Sequence, residues 1–166
     1  MKLLRSLRGV AGLASLPALW VGTVIADDTA NMSVTATVTD ACQITAVDTM
    51  AFGVLDQAAD NIAQANITWV CTDDFTTTIE LNGGGSGNIG ARAMTGAGTL
   101  PYQLYRDSGR SEVFGDGSGG SFSVDVTGSG YGNPDDVVVY GRVAQPDAAA
   151  AVAGAYTDTV LVTILF

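Results

Sequence analysis

The feature that most constrains this chain is a two-residue rhythm. Over residues 32–39, Met32, Val34, Ala36 and Val38 alternate without a fault against Ser33, Thr35, Thr37 and Thr39. Successive side chains of a strand point to opposite faces, so a period of two puts each set on one face. The rhythm returns over residues 62–71, with Ala63, Ala65, Ile67 and Trp69 in phase. It returns over 75–81, with Phe75, Thr77, Ile79 and Leu81, and over 121–127, with Phe122, Val124 and Val126 opposite Ser123 and Asp125. Residues 156–166 close the chain with Val160, Val162, Ile164 and Phe166 on one face. Shorter strands are predicted at 43–47, 101–105 and 137–143. Nothing after residue 26 sustains a helical period, although 56–64 and 147–153 could each hold a helical turn. Glycine-rich linkers at 82–90, 115–120 and 127–134 separate the strands. Seven or eight short strands joined by such turns predict an all-β, immunoglobulin-like sandwich.

The first 26 residues stand apart from this pattern. Lys2, Arg5 and Arg8 form a basic leader, an apolar run follows to Ile25, and Val24-Ile25-Ala26 offers small and aliphatic residues for cleavage. That arrangement predicts a secretory signal peptide with cleavage after Ala26. The run is short for a membrane-spanning helix, which needs about 20 residues, so no stable membrane insertion is expected. Removing 26 of 166 residues leaves 140, enough for one domain with a buried core. Residues 27–40 read as an N-terminal extension and 41–166 as the sandwich domain. Both cysteines, Cys42 and Cys71, survive cleavage. In an oxidising compartment they are expected to pair, and the chain-entropy contribution of such a loop is about 3–4 kcal/mol.

Three of the seven basic residues lie in the leader. Arg92, Arg106, Arg110 and Arg142 remain against 17 acidic residues, a net charge of −13. A nucleic-acid binder needs a basic face to displace counterions, so nucleic acid is not an expected partner. The chain has no histidine, which removes the commonest general base and metal ligand. No lysine follows the leader, which removes Ser-Lys and Schiff-base chemistry. Asp73-Asp74, Asp135-Asp136 and the trio Asp107, Glu112 and Asp116 could in principle form a glycosidase pair. All fall in predicted turns, where aspartate bonds its own backbone. Gly85-Ser-Gly-Asn-Ile-Gly90 spells a dinucleotide fingerprint, but no helix is expected after it to meet a pyrophosphate. Asp116-Gly-Ser-Gly-Gly120 lacks the alternating acids and closing glutamate of a calcium loop. Trp69, in phase two residues before Cys71, is expected in the core against the disulfide. Tyr102, Tyr105 and Tyr131 are expected at the surface. No catalytic residue, metal site or cofactor is therefore assigned.

Two strands stand out by position. The run 156–166 ends at the last residue, so no later strand is expected to close the sheet beside it. The run 32–39 precedes the first cysteine and follows the cleavage site. A free apolar strand at one end and an open edge at the other is the pattern of a molecule that adds strands to its neighbours.

Several segments carry a family resemblance: Val38-Thr-Asp-Ala-Cys42, Met50-Ala-Phe-Gly53, Ile67-Thr-Trp-Val-Cys71, Val139-Tyr-Gly-Arg-Val143 and Tyr156-Thr-Asp-Thr-Val160. The most specific is the stretch Leu100-Pro-Tyr-Gln-Leu-Tyr-Arg-Asp-Ser-Gly-Arg-Ser-Glu-Val-Phe-Gly-Asp-Gly117. The chain resembles the spore coat U domain, the subunit domain of archaic chaperone–usher pili. The resemblance implies an immunoglobulin-like sandwich lacking its final strand. A periplasmic chaperone would lend that strand first, and at the outer-membrane usher the extension of the next subunit would replace it. Met32, Val34, Ala36 and Val38 would then be the inward face of the donated strand. Val160, Val162, Ile164 and Phe166 would border the acceptor groove. It further implies passage through the periplasm to the cell surface, a place in a homo- or hetero-polymeric fimbrium, and support of adhesion and biofilm formation. The alternative is a self-complete secreted sandwich that binds carbohydrate or coats a cell or spore, with residues 32–39 tucked into its own sheet.

Overall fold

The computed structural model describes Gly22 and residues 27–166, so the expected leader lies almost wholly outside the described residues. Two units are distinguished, one up to Ala36 and one from Thr37 onward. In the first, the described residues form no helix or strand.

The second unit holds ten strands and one short helix. In chain order they are β1 (Cys42–Val47), β2 (Asn61–Cys71), β3 (Thr76–Leu81), β4 (Ala93–Gly96), β5 (Thr99–Pro101), β6 (Gln103–Tyr105), β7 (Val124–Thr127), β8 (Asp135–Val143), α1 (Gln145–Ala150), β9 (Tyr156–Thr157) and β10 (Val162–Leu165). They form a four-stranded sheet in the order β1-β2-β8-β6 and two three-stranded sheets, β10-β3-β7 and β5-β4-β9. Every named pairing is antiparallel. The fold is an all-β, immunoglobulin-like sandwich.

The alternation sets the core. On β2, Ala65, Ile67 and Trp69 are buried, and on β8 Val137, Val139 and Val143 are. They face Ile79 and Leu81 of β3, with Val124, Val126, Val162 and Ile164 packed alongside. Each fully buried aliphatic side chain contributes about 1.5–3 kcal/mol relative to exposure. The β2–β8 ladder runs from Asn61 opposite Val143 to Trp69 opposite Asp135. Gly141 sits inside it because a Cβ there would lie 2.7 Å from the Met50 sulfur and 2.8 Å from the Phe52 ring. The loop after β1 therefore lies against the bare backbone of β8. Cys42 and Cys71 are joined by a disulfide at the paired ends of β1 and β2.

Four expectations need correction. Residues 101–105 are not one strand. Pro101 has no N–H to continue a ladder, and the Tyr102 N–H bonds to the Arg92 carbonyl instead, so the chain leaves β5 for another sheet at β6. Tyr102 and Tyr105 are buried, and of the three tyrosines expected at the surface only Tyr131 is exposed. The run 121–127 is a strand only from Val124. Ser121 is buried by its bonds to Ser118 and Asp116, and the exposed Phe122 ring carries the Arg106 guanidinium 4.5 Å above it. The run 156–166 is broken: β9 pairs with β4, β10 pairs with β3, and residues 158–161 belong to neither ladder. Strand β4 has no counterpart among the expected strands. The helical turn suspected at 147–153 is α1, begun two residues earlier, with proline in its first turn.

Candidate functional site

β1 pairs only with β2, and β10 only with β3, among the described residues. Each therefore presents a row of unpaired backbone groups along one side, the condition under which another strand can add. Between these edges lies an apolar groove of about 400 Å³. Its floor is built from Ile67, Leu81, Leu104 and Val139, the inward residues of four strands. One rim is the end of β1 and the loop to Met50 and Phe52, and the other is the segment from Tyr156 to Val162. The inward phases of β2, β3, β6 and β8 thus supply the floor, and the loop after β1 and the segment leading into β10 supply most of the walls.

Val160, Val162 and Ile164 all pack partly buried against the core, and Val160 and Val162 line the groove. Phe166 does not join them. The β10 ladder ends at Leu165, and Phe166 is 69% exposed. Met32, Val34 and Val38 expose 85–87% of their surface, and Ala36 is exposed as well. Trp69 lies in the same core cluster as Cys42 and Cys71.

Of the carboxylates suspected of catalysis, Asp107 and Asp116 are bonded into turns, whereas Asp135 and Asp136 lie in β8 and not in the expected turn. Asp107 accepts from the Ser111 and Glu112 N–H groups, and the Glu112 bond leads in holding its carboxyl below the ordinary range. Asp116 accepts from Ser118, which lowers its carboxyl likewise. Asp136 accepts from the Thr68 hydroxyl at 2.6 Å, and Glu112 pairs with Arg106 at 2.8 Å. The stretch 85–90 forms parts of two 3₁₀ turns and leads into no α-helix. Among the described residues, no cluster of three or more acidic or sulfur ligands is placed to hold a metal. No described helix is long and apolar enough to cross a membrane.

Sequence reasoning missed a polar network at the groove's rim. Arg92 is 1% exposed, yet none of the described carboxylates pairs with it. It donates instead to the carbonyls of Asn82 at 2.7 and 2.9 Å and of Phe114 at 2.8 Å, and to the Gln103 side chain at 2.7 Å. Burial draws its guanidinium below the ordinary value, with Tyr102, Asp158 and Asp116 acting in opposition. The Tyr102 hydroxyl donates to Asp158 Oδ2 at 2.7 Å. Burial, and then that bond, pushes the hydroxyl well above its ordinary range. A signal for this network stood in the sequence. Asp158 occupies the same phase as Val160 and Val162, and a carboxylate on a core-facing phase requires partners.

The domain is therefore a disulfide-tied, immunoglobulin-like sandwich with an apolar groove on its surface. The chain belongs to the Spore Coat Protein U domain family, whose model matches residues 28–163. None of the curated proteins compared with the chain matches it. Among solved structures, a similar fold occurs in the CsuC–CsuE chaperone–tip adhesion subunit pre-assembly complex from archaic chaperone-usher Csu pili of Acinetobacter baumannii. The likeness has a TM-score of 0.54 at 24% identity, and covers 78% of this chain and 40% of that one. At that identity it bears on the fold alone.

Proposed function

We propose that this chain is a structural subunit of a chaperone–usher surface pilus and polymerises by donor-strand exchange. The observation that carries the reading is the apolar groove between the free edges of β1 and β10, in a chain whose residues 32–39 alternate and expose their apolar face. Family membership supports it, as does the printed description of the structural neighbour. Cleavage after Ala26 frees the extension 27–40, and the domain 41–166 receives a strand. A periplasmic chaperone fills the groove during export, and at the outer-membrane usher the extension of the next subunit takes its place. Backbone hydrogen bonds supply affinity and alternate side chains supply specificity. Eight residues at about 3.3 Å each reach about 26 Å, enough to run along a sandwich sheet. The fibre so formed would support adhesion and biofilm formation, and no catalytic role is assigned.

The test uses the two faces of the extension. A carboxylate on the inward face must be buried unpaired, at a cost of several kcal/mol, whereas one on the outward face stays in water. Val34→Asp and Ala36→Asp are expected to abolish surface fibres while leaving the periplasmic chaperone–subunit complex at its normal amount. Thr35→Asp is expected to be tolerated. Equal loss from both faces, or loss of the complex itself in Val34→Asp, would place residues 32–39 in this domain's own core. The self-complete secreted sandwich would then be the better reading.

A further inference from the structure

The groove's C-terminal rim is not held by a β-ladder over its whole length. β9 ends at Thr157 and β10 begins at Val162. The four residues between them cross from one sheet to another, and three of their neighbours hold them. Asn82, just past the end of β3, accepts the Leu161 N–H with its side-chain oxygen at 2.9 Å, and its own N–H donates to the Leu161 carbonyl at 3.1 Å. Asp158 accepts the Gly85 N–H at 2.8 Å and the Thr159 N–H at 2.7 Å through one oxygen. Its other oxygen takes the Tyr102 hydroxyl at 2.7 Å. The glycine run is the seat for this carboxylate. Gly84 has φ +62°, and a Cβ built on it would run into the Asp158 side chain. Buried Arg92 anchors the base by donating to the Asn82 carbonyl.

Two residues of the segment, Asp158 and Val160, have both backbone groups left unserved among the described residues, and of their side chains only that of Val160 is apolar. Val160 lines the groove and packs partly buried against the core, yet its N–H and C=O bond to nothing among the described residues. Buried backbone groups are nearly always paired, so an extended segment with a free donor and acceptor at an apolar groove is set for a partner's backbone. We propose that Asp158, Tyr102 and Asn82 form a polar clamp that positions residues 158–161 for strand capture, with Val160 as the backbone contact the incoming strand completes. The clamp rests on the strand-acceptor reading and adds to it. The residues concerned are positioning residues, because their side chains act through the backbone of the segment. The clamp also accounts for Gly84 and Gly85, which seat a carboxylate of the chain itself.

The experiment uses the mature chain, residues 27–166, carrying Val34→Asp so that its own extension does not compete. It is refolded with a synthetic peptide of residues 29–40 in the natural sequence. Affinity is measured by titration, and amide hydrogen exchange is followed residue by residue. In the parent, the peptide is expected to protect the Val160 amide as well as those of Thr163–Leu165. Asp158→Ala is expected to weaken uptake about tenfold or more, the cost of a hydrogen bond to a charged group. Protection should be lost at Val160 and kept in β10. Tyr102→Phe, which removes one oxygen, is expected to act in the same direction and decides the matter if Asp158→Ala fails to fold. Asp158→Asn keeps the acceptor for Gly85 and Thr159, and should stay within about threefold of the parent. Equal affinity and equal Val160 protection in the parent and Tyr102→Phe would overturn the clamp and leave the acceptor groove standing. Failure of the parent itself to take up the peptide would overturn both.

Discussion

Residues 32–39 and residues 160–166 carry the same pattern, a β-branched or aliphatic residue at every second position with mostly threonine or leucine between. Their fates in the structure differ. The first set lies in no ladder, with Met32, Val34 and Val38 almost fully exposed. The second supplies β10, paired with β3 on one side and packed through Val162 and Ile164 on the core. Alternation therefore establishes that a segment can be a strand with one apolar face. It does not establish which molecule provides the partner. A strand paired inside the domain contributes to its stability, and on the reading proposed above residues 32–39 contribute to assembly instead.

The largest effect expected from that contrast comes from placing the same charge in each region. Val162→Asp buries an unpaired carboxylate in the domain's own core, at a cost of several kcal/mol. It should remove folded subunit and chaperone complex together, whereas Val34→Asp should remove only fibres. Immunoblots of periplasmic and surface fractions compare the two. Matching outcomes would erase the distinction drawn between the regions.

The disulfide comes next. It ties Cys42 to Cys71 across 29 residues and fixes the start of β1 to the end of β2. Loss of a native disulfide in a small exported domain typically costs about 2–5 kcal/mol. Cys42→Ser with Cys71→Ser should therefore lower the yield of folded subunit sharply, without changing the extension's sequence or its exposure. Two free thiols in periplasmic material, found by mass spectrometry, would contradict the assignment.

Tyr102 sharpens the comparison from the groove side and gives a pH signature. Its hydroxyl titrates above the ordinary 10.0 in the folded chain. A raised folded value contributes stability that is complete below pH 10 and lost as pH rises through the folded value. Chemical denaturation of the strand-filled subunit should show stability falling above pH 10. Tyr102→Phe should reduce that fall, at a cost near neutrality of about 1–3 kcal/mol for the lost bond to Asp158. An unchanged alkaline limb in the variant would show that Tyr102 is not its source.

The smallest effect separates Ile164, inside β10, from Phe166, just past its end. Ile164 packs on the core and should cost about 1–2 kcal/mol when cut to alanine, given its partial burial. Phe166 is 69% exposed, and Phe166→Ala should change stability by less than about 0.5 kcal/mol. Parallel thermal melts compare them. A larger loss at Phe166 would restore it to the groove.

Much of this molecule was legible before the structure. The period of two located β2, β3, β8 and the in-facing sets Ala65, Ile67, Trp69 and Thr77, Ile79, Leu81, because an inward phase of apolar residues has one stable destination. The breaks were not legible. Tyr102 and Tyr105 read as surface aromatics because Pro101 can end a ladder but does not say which sheet takes up the chain after it. Residues 156–166 looked like one strand because Asp158, alone, does not announce the Gly84–Gly85 backbone and the Tyr102 hydroxyl that receive it.

By itself the sequence determined the class of structure and the inward faces of the long strands, whereas the alternating residues 32–39 form no strand. The first two follow from side-chain periodicity, which is local. Only the tertiary structure decided that β1 and β10 each pair on one side, that an apolar groove forms, and that Tyr102 and Asp158 meet at its lining with Asn82 and buried Arg92 close by. Those facts depend on contacts between residues far apart in the chain, such as Asn82 with Leu161 and Thr78 with Leu165. Hydrogen-bond satisfaction at a buried site is settled by what the fold brings there, and periodicity along the chain carries no record of it.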